Sequence, residues 1–242
     1  MSFFKTIIRL ILIEAIRSRL PWLLVICIVA SLGMSQFLGH VAIIEQREIQ
    51  ATLQAAFLRV TAVFIISTFV ITSMVREAND KIAELLLSQP APRAAYYFGK
   101  LAGYTVVAGM VAAIFAIPLL LFAPAASVAA WDISLACELS LMAALSLFCV
   151  LSLTNVLPAI AAAAAFYLLG RSLTAMKLIA AASLSTNHSY ADTAISALVD
   201  AVSMLLPSLD QMTLSAWLVS APSSGLLLAI VAQAFLYSAL LA

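Results

Sequence analysis

Charge is scarce in this chain: 23 Asp, Glu, Lys and Arg side chains in 242 residues, against 65% hydrophobic ones. Soluble domains carry about 25% charged residues. The scarcity, with a mean hydropathy of +1.14, excludes a hidden soluble domain and makes lipid the expected solvent. Histidine occurs only at His40 and His188, and no H-E-x-x-H, G-x-S-x-G or C-x-x-C stretch is present. Their absence removes the common zinc-hydrolase, serine-hydrolase and thiol-redox readings. There is no G-x-x-x-x-G-K-[ST] loop to cradle nucleotide phosphates, so ATP binding in the usual way is excluded. The three cysteines, Cys27, Cys137 and Cys149, fall inside apolar runs. There they act as small apolar side chains and offer neither a disulfide nor a zinc site. No basic run or nucleic-acid-binding motif occurs, and no nucleic-acid partner is expected.

What is present is hydrocarbon in long blocks. A membrane-crossing helix needs about 20 apolar residues, and by that rule spans are predicted near 20–38, 55–75, 101–123, 133–152, 156–176 and 218–240. The expected fold is an all-α polytopic membrane protein, a single transmembrane domain of six helices preceded by an interfacial amphipathic helix. The fourth and fifth spans are separated only by Thr154, Asn155 and Pro158, so the turn there must be tight. Basic residues near span ends set orientation. With the N-terminus inside, Lys5, Arg9, Arg17, Arg19, Arg76, Lys81, Arg93 and Lys100 are cytoplasmic, whereas Arg47, Arg59, Arg171 and Lys177 are outside. That bias predicts both termini on the cytoplasmic side of a bacterial plasma (inner) membrane.

Residues 2–19 are too charged to insert. Phe3, Phe4, Ile7, Ile8, Ile11 and Ala15 share one helical face, and Lys5 and Arg9 stack on the other at i, i+4. A helix of this kind is expected in the headgroup layer, its bases toward anionic lipid. The competing reading, a signal peptide with Leu20–Leu32 as its apolar core, lacks a small-residue cleavage site followed by a soluble domain.

A compact charged island lies between the second and third predicted spans. From Val75 to Leu101 the chain holds Arg76, Glu77, Asp80, Lys81, Glu84, Arg93 and Lys100. Asn79 or Asp80 can cap a short helix, which Pro90 and Pro92 stop. Within it Ile82, Leu85 and Leu86 share one face while Lys81 and Glu84 fall off it. The pattern alone suits either a solvated, charge-rich loop or a short amphipathic helix between two spans that touches another protein. The order Glu77, Glu84-Leu85-Leu86, Pro90, Arg93, Lys100 resembles the first cytoplasmic loop of permeases of the type-two ABC exporter class. Asp80-Lys81 stands where that family has a Gly-Thr pair, and Ala91-Pro92 where a small residue and Ser are usual. The Glu14–Arg19 sequence E-A-I-R-S-R is similar to the elbow helix of the same family.

The resemblance implies a permease subunit without an ATPase of its own. Its partners would be two copies of a separate ABC ATPase subunit, a second permease copy or homologue, and the bilayer. The chain itself would hold no cofactor, ATP and Mg being bound on the partner ATPase. The coupling helix would dock there through Glu77, Asp80, Ile82, Glu84, Leu85, Leu86 and Arg93. A membrane scaffold in a maturation or secretion complex, moved by an ATPase but carrying nothing, is the alternative.

The segment 178–216 is expected outside. Ile195, Leu198, Val199, Val202, Leu205 and Leu206 make an apolar stripe ended by Pro207. Its functional reading is an external gate involving Asp200, Pro207 and Asp210, as the resemblance implies, and its plain reading is an amphipathic cap. An intramembrane enzyme would have to use His188 and Asp192, spaced i, i+4, but Ser-Thr-Asn-His-Ser-Tyr also reads as a polar turn needing no chemistry. Charges inside spans cost about 2.5–3.5 kcal/mol at the centre on insertion scales, so each requires an account. Arg59 and Arg171 sit near span ends and are expected to snorkel outward. Glu138 either stays near the outer interface or faces the protein interior, paired with Arg59 or Arg171. Gln233 is a candidate for an interhelical hydrogen bond.

Overall fold

A computed structural model describes residues 2–41, 46–80, 93–153, 155–184, 230–234 and 236–238. Every element among them is helical: α1 (Ser2–Arg17), α2 (Leu20–Val41), α3 (Gln46–Asn79), α4 (Arg93–Leu119), α5 (Ala125–Leu153) and α6 (Val156–Leu184). The stretch 230–234 is helical too, its Ile230 and Ala234 joining the core. Among the described residues, four helices are long and apolar enough to cross a bilayer: Leu20–Phe37, Arg47–Asn79, Ala94–Leu119 and Ala125–Leu153. With these four apolar helices the chain is a multi-pass membrane protein.

Helix α5 is the axis of the bundle. It is apolar around most of its circumference, with one polar stripe turned inward, and such a helix is stable only when surrounded. Of its membrane-crossing window 72% is buried, against 22% for α2. It packs on α4, α3 and α6, while α2 leans on α3 from the periphery. The outer surface is correspondingly apolar, with Trp22, Ile26 and Phe37 on α2, Leu121 beyond α4, and Leu157 and Leu168 on α6 all exposed. Exposed apolar surface on this scale needs lipid as its solvent.

The helices run further than the spans predicted for them. Nothing between Ser73 and Asn79 breaks a helix, so α3 continues through Arg76 and Glu77, and the Asp80 N–H still donates to the Arg76 carbonyl at 2.9 Å. Helix α4 begins at Arg93, directly after Pro92, a position where proline favours a helix start. The charged island is therefore largely helical at both ends. At the other junction α5 ends at Leu153 and α6 starts at Val156, the Asn155 N–H donating to the Leu153 carbonyl at 2.6 Å. Pro158, in the first turn of α6, costs no hydrogen bond there.

Helix α1 turns into α2 at Ser18. The Ser18 hydroxyl donates to the Ala15 carbonyl at 2.8 Å and accepts from the Leu20 N–H at 3.2 Å, ending one helix and capping the next. Part of the face expected to be apolar is covered by protein: Ile7, Ile11 and Ala15 are buried and α1 packs along α4, whereas Phe4 is exposed. Gly99 and Gly103, a G-x-x-x-G pair on α4, make the notch. A Cβ on Gly103 would fall 2.5 Å from Ile11 Cδ1, and one on Gly99 3.1 Å from Ile7 Cδ1. Leu10, Ile13 and Ile16 are exposed on the remaining side.

Candidate functional site: two buried charge pairs on one helix

Among the described residues, helix α3 carries two ion pairs, both enclosed. The first lies near mid-helix. Arg59 Nη1 donates to Glu138 Oε2 of α5 at 2.7 Å, with both side chains 0% exposed. The same nitrogen reaches Ser134 Oγ at 3.4 Å, and the guanidinium sits over the Trp131 ring, 5.3 Å from its centroid. Trp131, Ser134 and Glu138 recur at i, i+3 and i+7 and so form one stripe of α5 facing α3. Arg59 does not snorkel. It points into the bundle because the interior supplies a carboxylate, a hydroxyl and an aromatic face, three features that together replace water around a guanidinium. Glu138 is likewise internal rather than interfacial.

That centre is not fully satisfied. Glu138 Oε1 and Trp131 Nε1 are buried without a hydrogen-bond partner among the described residues. Tyr167 of α6 is buried nearby, within electrostatic range of both Glu138 and Arg171. Its hydroxyl accepts from Arg171 Nη1 at 3.1 Å, and Arg171 is half-buried rather than extended into solvent. Three helices thus contribute polar groups to one layer, in surroundings where an unpaired group is costly.

The second pair lies at the end of α3 next to the 81–92 segment. Glu77 Oε2 accepts from Lys100 Nζ of α4, and Glu77 Oε1 accepts from the Tyr96 hydroxyl at 2.9 Å. Both carboxylate oxygens are therefore engaged. The ammonium lies 5.9 Å from the ring centroids of both Tyr96 and Tyr104, sandwiched one helical turn from each. The Tyr104 hydroxyl donates to Ser73 Oγ at 3.1 Å and extends the contact another turn. Ser73 and Glu77 (i, i+4) on α3 face Tyr96, Lys100 and Tyr104 (i, i+4, i+8) on α4, a short zipper that clamps the two helices where the chain between them leaves. At 1.5 Å per residue the two pairs are about 27 Å apart along α3.

The other candidates distribute as follows. Asp80 is exposed at the end of α3 and lines a cavity of about 410 Å³ with Glu14, Arg17 and Arg76. Arg93 opens α4. Ile82, Glu84, Leu85 and Leu86, the expected docking face, lie outside the described residues, as do Asp200, Pro207 and Asp210 of the expected gate and His188 and Asp192. Gln233 is half-buried between core residues Ile230 and Ala234. Among the described residues there is no group of three His, Cys, Asp or Glu side chains that could hold a metal, and Cys27, Cys137 and Cys149 are unbridged. Sequence reading missed Ser73, Tyr96, Tyr104, Trp131, Ser134 and Tyr167. Their helical spacing around a charged residue was the available signal.

The arrangement is that of a helical membrane protein with two buried polar locks, both anchored on α3. Neither a protein-family model, a curated protein nor a solved structure matches the chain.

Proposed function

We propose that the chain is the permease subunit of an ATP-driven ABC exporter, moved by a separate ATPase through the segment between α3 and α4. The observation that supports this reading is the clamp formed by Glu77, Lys100 and Tyr96 at the adjoining ends of the two helices that the 81–92 segment connects. A rigid clamp makes the connecting segment a handle: displacement applied to it is shared by α3 and α4 rather than absorbed by fraying ends. Helix α3 then carries that displacement to Arg59 and the axis of the bundle.

In this reading six spans form half of the transporter, with 178–216 outside and the last span over 218–240. A second copy or homologue completes the path. Both termini and the 81–92 segment face the cytoplasm of a bacterial plasma membrane, the N-terminal helix lying along its surface. Asp200, Pro207 and Asp210 belong to the outer gate. ATP and Mg stay on the partner ATPase.

Charge reversal at Glu84, Glu84→Arg, tests the proposal against a matched reversal, Glu48→Arg, at the opposite end of α3. The expected result is loss of ATPase-subunit copurification and of stimulated hydrolysis for Glu84→Arg alone, with both variants folded. Retention of both properties by Glu84→Arg removes the coupling role.

A further inference from the structure

Helices α2 and α3 are joined at one end and splayed at the other. The Gln50 amide donates to the Ser35 carbonyl at 3.1 Å and the Gln54 amide to Ser31 Oγ at 3.5 Å. Below these staples the helices part around a cavity of about 590 Å³ that runs along α3 from Thr61 to Arg76. Fifteen residues of helix make it about 22 Å long, about half of a bilayer some 40–45 Å thick including headgroups. Its walls are apolar: Leu23, Phe64, Ile65 and Phe69 line it. The hydroxyls of Thr61 and Thr72 are turned back onto the Phe57 and Thr68 carbonyls at 2.8 and 2.6 Å, which satisfies their protons within the helix.

The mouth of this groove is basic. Arg17, Arg19 and Arg76 line it with Ser18, and none of the three arginines is in an ion pair among the described residues. Arg17, Ser18 and Arg76 also line the adjoining cavity of about 410 Å³, which is lined too by Glu14, Asp80, Lys100 and apolar side chains of α1. Glu77 lines it too, but its charge is already held by Lys100 and Tyr96. Along one path the walls thus change from apolar to cationic and then to a mixed region in which Glu14 and Asp80 stand one helical turn from the arginines. We infer that this path is a binding site for one phospholipid with a primary-amine headgroup. An acyl chain fills the α2–α3 groove, the phosphate sits between Arg17 and Arg76, and the ammonium points to Glu14 and Asp80. Guanidinium forks suit phosphate oxygens, and two carboxylates in no ion pair among the described residues suit a hydrogen-bonding ammonium better than a glycerol or a quaternary amine. The inference needs only the membrane setting and does not depend on transport.

The full chain, reconstituted in nanodiscs of equal phosphatidylethanolamine, phosphatidylglycerol and phosphatidylcholine, is released into mild detergent and weighed intact. The expected result is one retained phosphatidylethanolamine, favoured about tenfold over either other lipid, as one or two charge-assisted hydrogen bonds would give. R17Q/R76Q should lose retention of all three. E14Q/D80N should keep one phospholipid but lose the preference among headgroups. Thr68→Trp, which fills the groove and leaves every charge in place, should reduce retention as R17Q/R76Q does, and it carries the test if the arginine variant is not monodisperse. Equal retention of the three lipids by the unsubstituted chain overturns the site. Preference for phosphatidylglycerol overturns the ammonium placement. Displacement of the bound lipid by millimolar inorganic phosphate shows an anion site rather than a lipid one and overturns the proposal.

Discussion

A guanidinium and a carboxylate that are both 0% exposed gain from each other only what desolvation leaves them. The asymmetry that follows is testable. Removing one partner strands the other in a medium that cannot hydrate it, so Glu138→Ala or Arg59→Ala should each destabilise the bundle by about 3–5 kcal/mol. Replacing both, as Arg59→Met with Glu138→Leu, removes the stranded charge and should recover most of that loss. Thermal unfolding of the four proteins in detergent measures the cycle. A double variant as unstable as the sum of the singles would mean that the pair contributes through Ser134 and Trp131 more than through charge. The cost of these charges was readable from sequence, and Arg59 was one of two partners offered for Glu138 beside an interfacial alternative, but the choice among them was not readable. Arg59 and Glu138 are 79 residues apart, and a single helix shows only which residues share its face. The stripe Trp131, Ser134, Glu138 says that one side of α5 is polar. It takes the placement of α3 to say what that side meets. Around Glu77 the pattern was fuller, with Ser73 one turn before it and Tyr96 and Tyr104 a turn either side of Lys100, yet pairing the two lists again required the fold.

At the scale of elements, the starts of α2 at Leu20 and of α6 at Val156 coincide with the starts read from sequence, while α6 continues to Leu184, eight residues past the predicted end at 176. The extensions of α3 and α4 were missed because charge was read as loop, although no breaker separates Ser73 from Asn79. Helix α1 shows a different limit. Its apolar face was equally suited to headgroups or to protein, and the deciding feature was on another helix, the Gly99–Gly103 notch of α4. Small residues four apart let helices approach closely where lipid supplies no hydrophobic drive. Gly103→Ala should force Ile11 aside and lower stability by about 1–3 kcal/mol, the usual cost of overpacking. Ile11→Val, which removes the Cδ1 that lies 2.5 Å from the added methyl position, should restore part of it in the double variant. The midpoint of thermal unfolding of the three variants checks this. A Gly103→Ala protein as stable as the unsubstituted chain would mean that α1 is free to ride over α4.

For the whole molecule, orientation is the property on which the functional reading rests. With Cys27, Cys137 and Cys149 replaced, single cysteines at Ser88 and Ser185 should react with an impermeant thiol reagent from opposite sides of the membrane. Reaction of both from outside would reverse or break the proposed topology. The order in which the chain is made adds a consequence to the Arg59–Glu138 pair. Helix α3 leaves the ribosome well before α5, and 79 residues at about 5–20 residues per second take about 4–16 s. For that interval Arg59 has no Glu138 to meet, and α3 must wait at the translocon or sit displaced toward an interface where its guanidinium finds water. The arrival of α5 then draws α3 to its final depth. Glu138 would thus act during biogenesis as a delayed counter-ion, and its loss should appear first as nascent chains caught with α3 outside the bilayer core, before any deficit of the finished protein is measurable.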